Sequence, residues 1–386
     1  MSTNLQHRLL TAAAVAAAWV FPCPARALVS LEDGRERLYV DGTFGVGYDS
    51  NVFANARSSG SMLLDGSIGA EFARRAGLIA FDATATLSFA HYTSFRGQDY
   101  VDPKLTAELS KQTGRTTGSF VVNVQRENRA DVDVNTRDVS WNYDLTLNVL
   151  YPVIERYSFS GTFDYSFADY QNQRLFTNLA TYAGSLYLYY ILDEQRDFFV
   201  DYRARYSGLA NGSDDIDNSL SAGVNGRIYG PFNGSIQAGY QARASYGGSA
   251  PGTYNDFTAS GTTTWNINRR ISLATELSRD FSTTAQAQSI DSTSVGLTLK
   301  DSFTAKASGA LQGSAGQNRF LGAGGLLAPG GTRRVDDFAS LSASYFYTLN
   351  QHLKISLNFV YFKNWSTLAY AEFPRTQVNL SLMSHW

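Results

Sequence analysis

Residues 197–206 read DFFVDYRARY and contain the pattern from which the fold of the chain can be predicted. Every second residue from Phe198 to Tyr206 is apolar, whereas most residues between them are charged. Side chains of a β-strand point alternately to opposite faces, so this stretch predicts a strand with one apolar and one polar face. The apolar face holds Phe198, Val200, Tyr202, Ala204 and Tyr206, and the polar face holds Asp197, Asp201, Arg203 and Arg205.

The same two-residue period runs along most of the chain, for example in residues 38–48, 141–151 and 353–361. About 18 such segments follow one another, and each takes about 20 residues together with its connection. They begin near residues 37, 61, 77, 102, 117, 138, 156, 177, 196, 214, 232, 253, 270, 289, 302, 336, 352 and 375.

Short and long connections alternate between these segments. RRAG (74–77) and KDS (300–302) are short, whereas DSNVFANARSSGS (49–61) and DFSTTAQAQSIDS (280–292) are long. A sheet in hydrocarbon must close on itself to pair every backbone group, and bacterial barrels alternate trimmed periplasmic turns with longer outer loops. We therefore predict an all-β fold, a closed antiparallel transmembrane β-barrel of about 18 strands, within a range of about 16–18.

Composition excludes several other classes of protein. The 386 residues are 44% hydrophobic, 13% aromatic and only 17% charged, with a net charge of −2. The mean hydropathy of −0.22 argues against a helical membrane protein, and the balanced charge argues against a nucleic-acid-binding surface. Hydrophobic residues spread along the whole chain argue against disorder.

Residues 1–27 have the pattern of a secretory signal peptide. His7-Arg8 precedes an apolar run from Leu9 to Phe21, and Ala25-Arg26-Ala27 fits the small-x-small rule for cleavage. A lipoprotein signal with acylated Cys23 is the alternative, although a proline precedes that cysteine. We therefore expect residues 1–27 to be removed in the periplasm, leaving residues 28–386 as a barrel in the outer membrane of a Gram-negative bacterium.

Two stretches carry a resemblance to known proteins. The chain ends in Trp386 with Leu382, Leu380 and Val378 on the same face. This resembles the last strand of bacterial outer-membrane proteins, which the barrel-assembly machinery recognises. The motif GYDSNVF (47–53) resembles the start of a family of outer-membrane β-barrel porins, some linked to exopolysaccharide operons. The resemblance implies an outer-membrane location and a role in a channel or in export.

Catalytic and metal-binding patterns are absent from the sequence. The four histidines, His7, His91, His352 and His385, form no recognisable arrangement with a nucleophile, and no metalloprotease or nucleophile-elbow motif occurs. We therefore predict no enzyme and no cofactor. DVDVN (131–135) and GSDDID (212–217) are candidate divalent-cation loops, and solvated acidic loops are the simpler alternative.

Charges on the polar face separate into two sets along the chain. The predicted acidic pore-lining residues, in the first half, are Asp41, Asp65, Glu71, Asp82, Asp144 and Asp164. The predicted basic pore-lining residues, in the second half, are Arg203, Arg205, Arg227, Arg243, Lys306 and Lys354. In a closed barrel these sets line opposite walls and create a field that sorts polar solutes. The alternative is that the charges pair across the lumen and neutralise one another.

An apolar, glycine-rich loop is predicted from Gly313 to Asp337, which either folds into the barrel, contacts a partner or is disordered. The combined features predict a channel for passive diffusion of small polar solutes, without turnover. The alternatives are a barrel that assists exopolysaccharide export or surface assembly, and an adhesin or structural barrel. The expected partners are outer-membrane lipid and lipopolysaccharide, the barrel-assembly machinery, and polar solutes or polysaccharide, but not nucleic acid.

Overall fold

The computed structural model describes residues 29–31, 36–75, 77–131, 135–172, 176–247, 251–321 and 333–386. The predicted signal peptide lies outside these residues. Nineteen strands and two short 3-10 helices, Arg96–Gln98 and Ala369–Ala371, make up the regular structure of the described residues. The strands are β1 (Val29–Leu31), β2 (Glu36–Asp49), β3 (Ser61–Arg74), β4 (Ala80–Tyr92), β5 (Tyr100–Lys111), β6 (Thr117–Asp131), β7 (Thr136–Ile154), β8 (Tyr157–Tyr170), β9 (Leu179–Asp193), β10 (Arg196–Leu209), β11 (Asp214–Tyr229), β12 (Phe232–Tyr246), β13 (Gly252–Asn266), β14 (Ile271–Thr283), β15 (Ser289–Asp301), β16 (Ala307–Leu321), β17 (Val335–Thr348), β18 (Leu353–Ser366) and β19 (Phe373–His385).

Strands β2 to β19 form a closed antiparallel barrel. Each of these strands pairs with the next, and residues 377–385 of β19 return to pair with residues 41–49 of β2. The predicted closed barrel of 18 strands is therefore confirmed. The short strand β1 pairs with residues 36–38 of β2 and lies outside the closed ring.

Apolar side chains cover the outer face of the barrel. Leu186 is 66% exposed, Ile68 58% and Leu220 58%, and each lies in the apolar register of its strand. Such a surface is stable only against lipid, where each backbone polar group is already paired within the sheet. Exposed aromatic residues near strand ends, as in membrane-interface belts, include Tyr48, Tyr151, Tyr157, Tyr206 and Trp365. Within the described residues, no helix has the length and apolarity needed to cross a membrane.

Two ladders end before their strands do. The pairing of β5 with β6 stops at Lys104–Gln125, next to Pro103, and the pairing of β13 with β14 stops at Ala259–Arg279. Proline has no N–H to donate to a neighbouring strand, which gives a physical reason for the first stop. The following hairpins, β6–β7 and β14–β15, remain paired to their ends. Their outer ends are thus free to leave the wall of the barrel.

An ion pair bridges each of these two gaps. The Arg126 guanidinium lies 2.6 Å from the Asp102 carboxylate on β5, and the Arg279 guanidinium lies 2.6 Å from the Asp256 carboxylate on β13. The two gaps are separated by eight strands of the barrel, so they lie on nearly opposite sides. Each arginine stands close to the last ladder pair and replaces backbone hydrogen bonds with a charged contact.

The predicted glycine-rich loop is shorter than expected at its start. Strand β16 continues to Leu321, so residues 313–321 are part of the wall, and residues 322–332 lie outside the described part of the chain. The hydrophobic spacing predicted a strand that begins near residue 302 but hid its outer half, because small and polar residues replace apolar ones in residues 313–321. Phe320 is buried under the Arg334 guanidinium, whose carbon lies 4.3 Å from the ring centre.

Candidate functional site

The most unusual feature of the barrel is the outer end of the β14–β15 hairpin. We call residues 280–291 the inserted hairpin. Phe281, Ala285 and Ile290 within it are 2%, 5% and 1% exposed, although this segment reads as a polar outer loop. The inserted hairpin contacts side chains on the inner face of β10, β11 and β12. The hairpin therefore occupies the lumen instead of extending into solvent.

Three arginines of the barrel wall hold the inserted hairpin. Arg203 donates two hydrogen bonds, of 2.9 and 2.7 Å, to the Asp280 carboxylate. Arg205 reaches Asp280 at 3.1 Å and the Phe281 carbonyl oxygen at 2.5 Å. Arg243 donates to the Ser282 carbonyl oxygen at 2.7 Å. Arg203 and Arg205 lie on β10 and Arg243 lies on β12, four and two strands away from β14, so the contacts form inside the lumen and not along the β14 ladder.

Two aspartates of β11 complete this network. Asp217 accepts hydrogen bonds from Arg243 Nε at 2.6 Å and Nη2 at 2.8 Å, and from Arg205 Nε at 2.7 Å. Asp215 accepts from hydroxyls of Ser245, Thr283 and Ser289 at 2.5, 2.6 and 3.0 Å. Since desolvated charges are stable only when paired, the arginines of this wall are neutralised by the acids around them.

These acids correct the prediction of an acidic loop at residues 212–217. From Asp214 onward the segment is strand, and Asp215 and Asp217 are buried in the network of the inserted hairpin. They are therefore neither solvated nor arranged around a free cation position. Within the described residues, no group of three or more His, Cys, Asp and Glu side chains could hold a metal ion. Residues 132–134 of the other acidic segment lie outside the description.

The tip of the inserted hairpin contacts the β8–β9 connection. The Thr177 amide donates to the Ala285 carbonyl oxygen at 2.8 Å. Phe176, which is 2% exposed, packs against Ala285 and stacks on Tyr170 with 5.3 Å between ring centres. The hairpin thus covers the outer half of the inner wall from β9 to β12 and narrows the lumen from that side.

The motif GYDSNVF forms a second ordered cluster at the outer rim, the end with the long connections. Asp49 is 1% exposed and pairs with Arg375 on β19 at 2.6 Å. The Asn51 amide hydrogen bonds to Asp49 at 3.0 Å, and its side chain donates to the Pro374 carbonyl at 3.3 Å. Val52 packs against Ala90 and Tyr92. The motif therefore folds the first outer connection onto the barrel closure.

The outer end of β6–β7 reaches this cluster from across the mouth. Asn135 donates to the Ala54 carbonyl at 3.1 Å, and Arg137 donates to the Tyr92 hydroxyl at 3.0 Å. Arg334 donates to Asn135 at 3.2 Å. Connections from distant strands therefore meet over the mouth, and sequence periodicity contains no signal for such contacts between loops.

The predicted acidic residues have different positions on the inner face. Asp65, Asp144 and Asp164 stand half-buried along the wall, where Asn379, Asn123 and Thr146 donate to them at 2.6, 3.1 and 2.8 Å. Glu71 is half-buried on the same wall, nearer the short turns. No ion pair joins any of these four carboxylates to a described residue. Asp41 pairs with His385 at 2.5 Å and Asp82 with Arg75 at 2.5 Å, both close to the short-turn rim.

The predicted basic residues are not all on one wall. Arg203, Arg205 and Arg243 are brought together, as described above. Arg227 instead binds the Gly230 carbonyl at 2.8 Å at the short-turn rim, and Lys306 precedes β16, whose start is Ala307 and not residue 302. Lys354 is the second residue of β18, also next to the short turns. One of the six, Lys306, therefore lies in a turn, and Arg227 and Lys354 lie at strand ends next to the short turns, because strand ends are the least certain part of a periodicity argument.

The apolar C-terminal residues lie on one face of β19, as the sequence predicts. Val378, Leu380 and Leu382 are exposed on the outside of β19. The Trp386 backbone exchanges two 2.9 Å hydrogen bonds with Val40, and its ring stacks on His352 with 4.3 Å between centres. This end of the chain thus forms part of the seam that closes the barrel.

Comparisons with known proteins agree with this architecture. Residues 201–385 match the family described as "Putative beta-barrel porin 2". OpdK of Pseudomonas aeruginosa, determined with vanillate, superposes with a TM-score of 0.50 at 10% identity, over 90% of this chain and 99% of OpdK. OccAB2 of Acinetobacter baumannii has a TM-score of 0.50 at 10% identity, over 92% and 99% of the two chains.

At such low identity the likeness to the two solved barrels concerns the fold alone. No curated protein sequence matches this chain. The resemblance to outer-membrane β-barrel porins is nevertheless confirmed by the family match together with the fold.

Proposed function

This chain is a porin-like outer-membrane β-barrel, and we propose that it is a channel for passive diffusion of small polar solutes. The observation that carries the proposal is the inner face, a mainly polar wall in a barrel whose outer face is apolar. A barrel of about 18 strands is wide enough for an aqueous lumen. The inserted hairpin narrows that lumen and limits the size of solute, without any residue that would perform a reaction.

Location and assembly belong to the same proposal. We propose that residues 1–27 direct the chain to the periplasm and are removed there, and that residues 28–386 insert into the outer membrane among lipid and lipopolysaccharide. The exposed residues Val378, Leu380 and Leu382 with Trp386 would be read by the barrel-assembly machinery. No feature of the described residues favours the exopolysaccharide alternative over the channel.

Conductance of the purified protein in a planar bilayer tests the channel proposal. We expect stepwise currents, and we expect proteoliposomes to swell in monosaccharides faster than in larger oligosaccharides. Swelling should depend on the size of the sugar because the inserted hairpin narrows the lumen. Absence of both current and swelling, from protein that shows heat-modifiable migration as a folded barrel, would contradict the proposal and leave a structural barrel or an adhesin.

A further inference from the structure

We propose that this channel selects cations and that small organic ammonium compounds are its preferred solutes. The inference rests on the proposed channel function and names the solute class. It follows from a difference between two walls: the arginines on one side are held in ion pairs, whereas the carboxylates on the other side outnumber the basic side chains near them and form no ion pair with a described residue.

The first step concerns the arginine wall. Arg203 and Arg205 bind Asp280, and Arg205 and Arg243 bind Asp217, so the positive charges are matched by nearby carboxylates. Arg243 is fully buried and Arg205 is largely covered by the inserted hairpin. A solute passing the hairpin therefore meets little positive potential from this wall, and the open side of the lumen is the opposite one.

The second step concerns that opposite side, which we call the acidic wall: Asp65, Glu71, Glu108, Asp144 and Asp164 on strands β3 to β8. Asp65, Asp144 and Asp164 accept hydrogen bonds from neutral amides and a hydroxyl, which leave the negative charge in place. Glu71 and Glu108 lie nearer the short-turn rim, where Arg75 is a neighbouring positive charge. Lys104 interrupts this wall, and Lys300 and Lys354 lie towards the short-turn rim. A wall of one dominant sign in a narrow lumen concentrates ions of opposite charge.

A third, independent observation lies where the two walls meet, on β9 and β10. Asp201 is 3% exposed on the inner register, and its Oδ1 has no hydrogen-bond partner among the described residues. Tyr187 stands directly opposite it in the ladder, and the Tyr187, Tyr189 and Phe199 rings cluster with centres 5.4 to 6.0 Å apart. The Ser221 hydroxyl hydrogen bonds to this carboxylate and Arg203 lies near it, but Oδ1 remains unbonded. A buried carboxylate with one unbonded oxygen beside aromatic rings is an environment that organic ammonium groups favour.

The experiment measures the reversal potential across a planar bilayer under a KCl gradient. We expect the potassium-to-chloride permeability ratio of the wild-type channel to exceed unity. Asp144→Asn and Asp164→Asn, singly and together, keep the shape of the side chain and remove its charge. Each should lower the ratio roughly twofold or more at low salt, where screening is weakest. Asp337→Asn is the control, because Asp337 lies in the outward register and binds Gln317.

A second arm replaces KCl with choline chloride and uses Tyr187→Leu. We expect the choline permeability relative to potassium to fall at least twofold while the potassium conductance is retained. Choline and potassium permeabilities that fall together would overturn the ammonium preference. An anion-selective channel, or a ratio unchanged in the Asp144→Asn and Asp164→Asn double variant, would overturn the cation selectivity while leaving the channel function intact. Absence of any current would instead overturn the channel function itself.

Discussion

Asp217 is the residue on which the charge network of the lumen depends. Its two carboxylate oxygens accept three hydrogen bonds from the guanidinium groups of Arg205 and Arg243, and it is 2% exposed. Arginine presents its N–H groups in a planar fork, so one carboxylate can satisfy two guanidinium groups at once. Both arginines also bind the inserted hairpin, so Asp217 affects the width of the lumen through them.

We predict that Asp217→Asn destabilises the barrel by about 3–5 kcal/mol, because it leaves buried guanidinium charge without its partner. The free energy of unfolding in urea, followed by tryptophan fluorescence in detergent micelles, measures this change. Asp193→Asn is the matched control, since the Asp193–Arg196 pair is nearly half exposed and such pairs contribute about 0–1 kcal/mol. Equal free energies of unfolding for the two variants would show that the Asp217 network does not stabilise the barrel.

At the scale of elements, the inserted hairpin results from a competition between two sets of contacts. Beyond Arg279, β14 gives up its ladder with β13 and gains contacts with the inner wall and with the β8–β9 connection. The gap left in the wall is bridged by the Arg279–Asp256 ion pair and by the Arg279 guanidinium over the Phe257 ring, 5.0 Å away. Backbone hydrogen bonds are exchanged for charged and apolar contacts, so the hairpin is stable inside the barrel.

Deletion of residues 284–288, the tip of the inserted hairpin, is predicted to raise the single-channel conductance, because the hairpin then blocks less of the lumen. The solute size at which liposome swelling stops should also increase. Deletion of residues 94–98 serves as the control, since it removes five residues from the β4–β5 connection at the same rim, of which Phe95 packs against the cluster around Val52 and none contacts the inserted hairpin in the described residues. A conductance unchanged by the first deletion would mean that the narrowest point lies elsewhere.

At the scale of the whole molecule, the outer face of the barrel contacts lipid and the inner face contacts water. Leu277 on β14 points to the lipid side and is 42% exposed, whereas Thr262, close by on β13, is exposed on the lumen side. Adjacent positions of a strand face lipid and water in turn. The same substitution therefore changes the free energy of unfolding by different amounts at neighbouring positions.

Leu277→Arg is therefore predicted to cost about 2–4 kcal/mol of unfolding free energy in lipid, the cost of a charge near the middle of the hydrophobic band. Thr262→Arg should cost much less, because its guanidinium reaches the aqueous lumen, where Glu276 is the ladder partner. Urea unfolding in liposomes compares the two. If Thr262→Arg proved the more damaging variant, the assignment of inner and outer faces would be reversed.

Much of this architecture is contained in local sequence. The alternation at Phe198–Tyr206 and its repeats determined the strand number, the faces and most strand starts, because each residue's preference for lipid or water acts independently of distant residues. The outer half of β16 was missed because small residues replace the apolar ones that mark a strand. The start of β11 near residue 214 was predicted, but the burial of Asp215 and Asp217 was not, because it depends on contacts with the inserted hairpin. Composition and alternation together were therefore sufficient for the fold class.

The filling of the lumen, by contrast, depends on contacts that exist only in the folded barrel. The contacts of Arg203 with Asp280, Arg137 with Tyr92 and Asp49 with Arg375 join residues 77, 45 and 326 positions apart. No periodic pattern encodes such pairs, since they form only after the closed ring brings distant strands to face one another. The strands thus follow from the preference of each side chain for lipid or water. The narrowed lumen and the separation of its charges follow from the closure of the barrel.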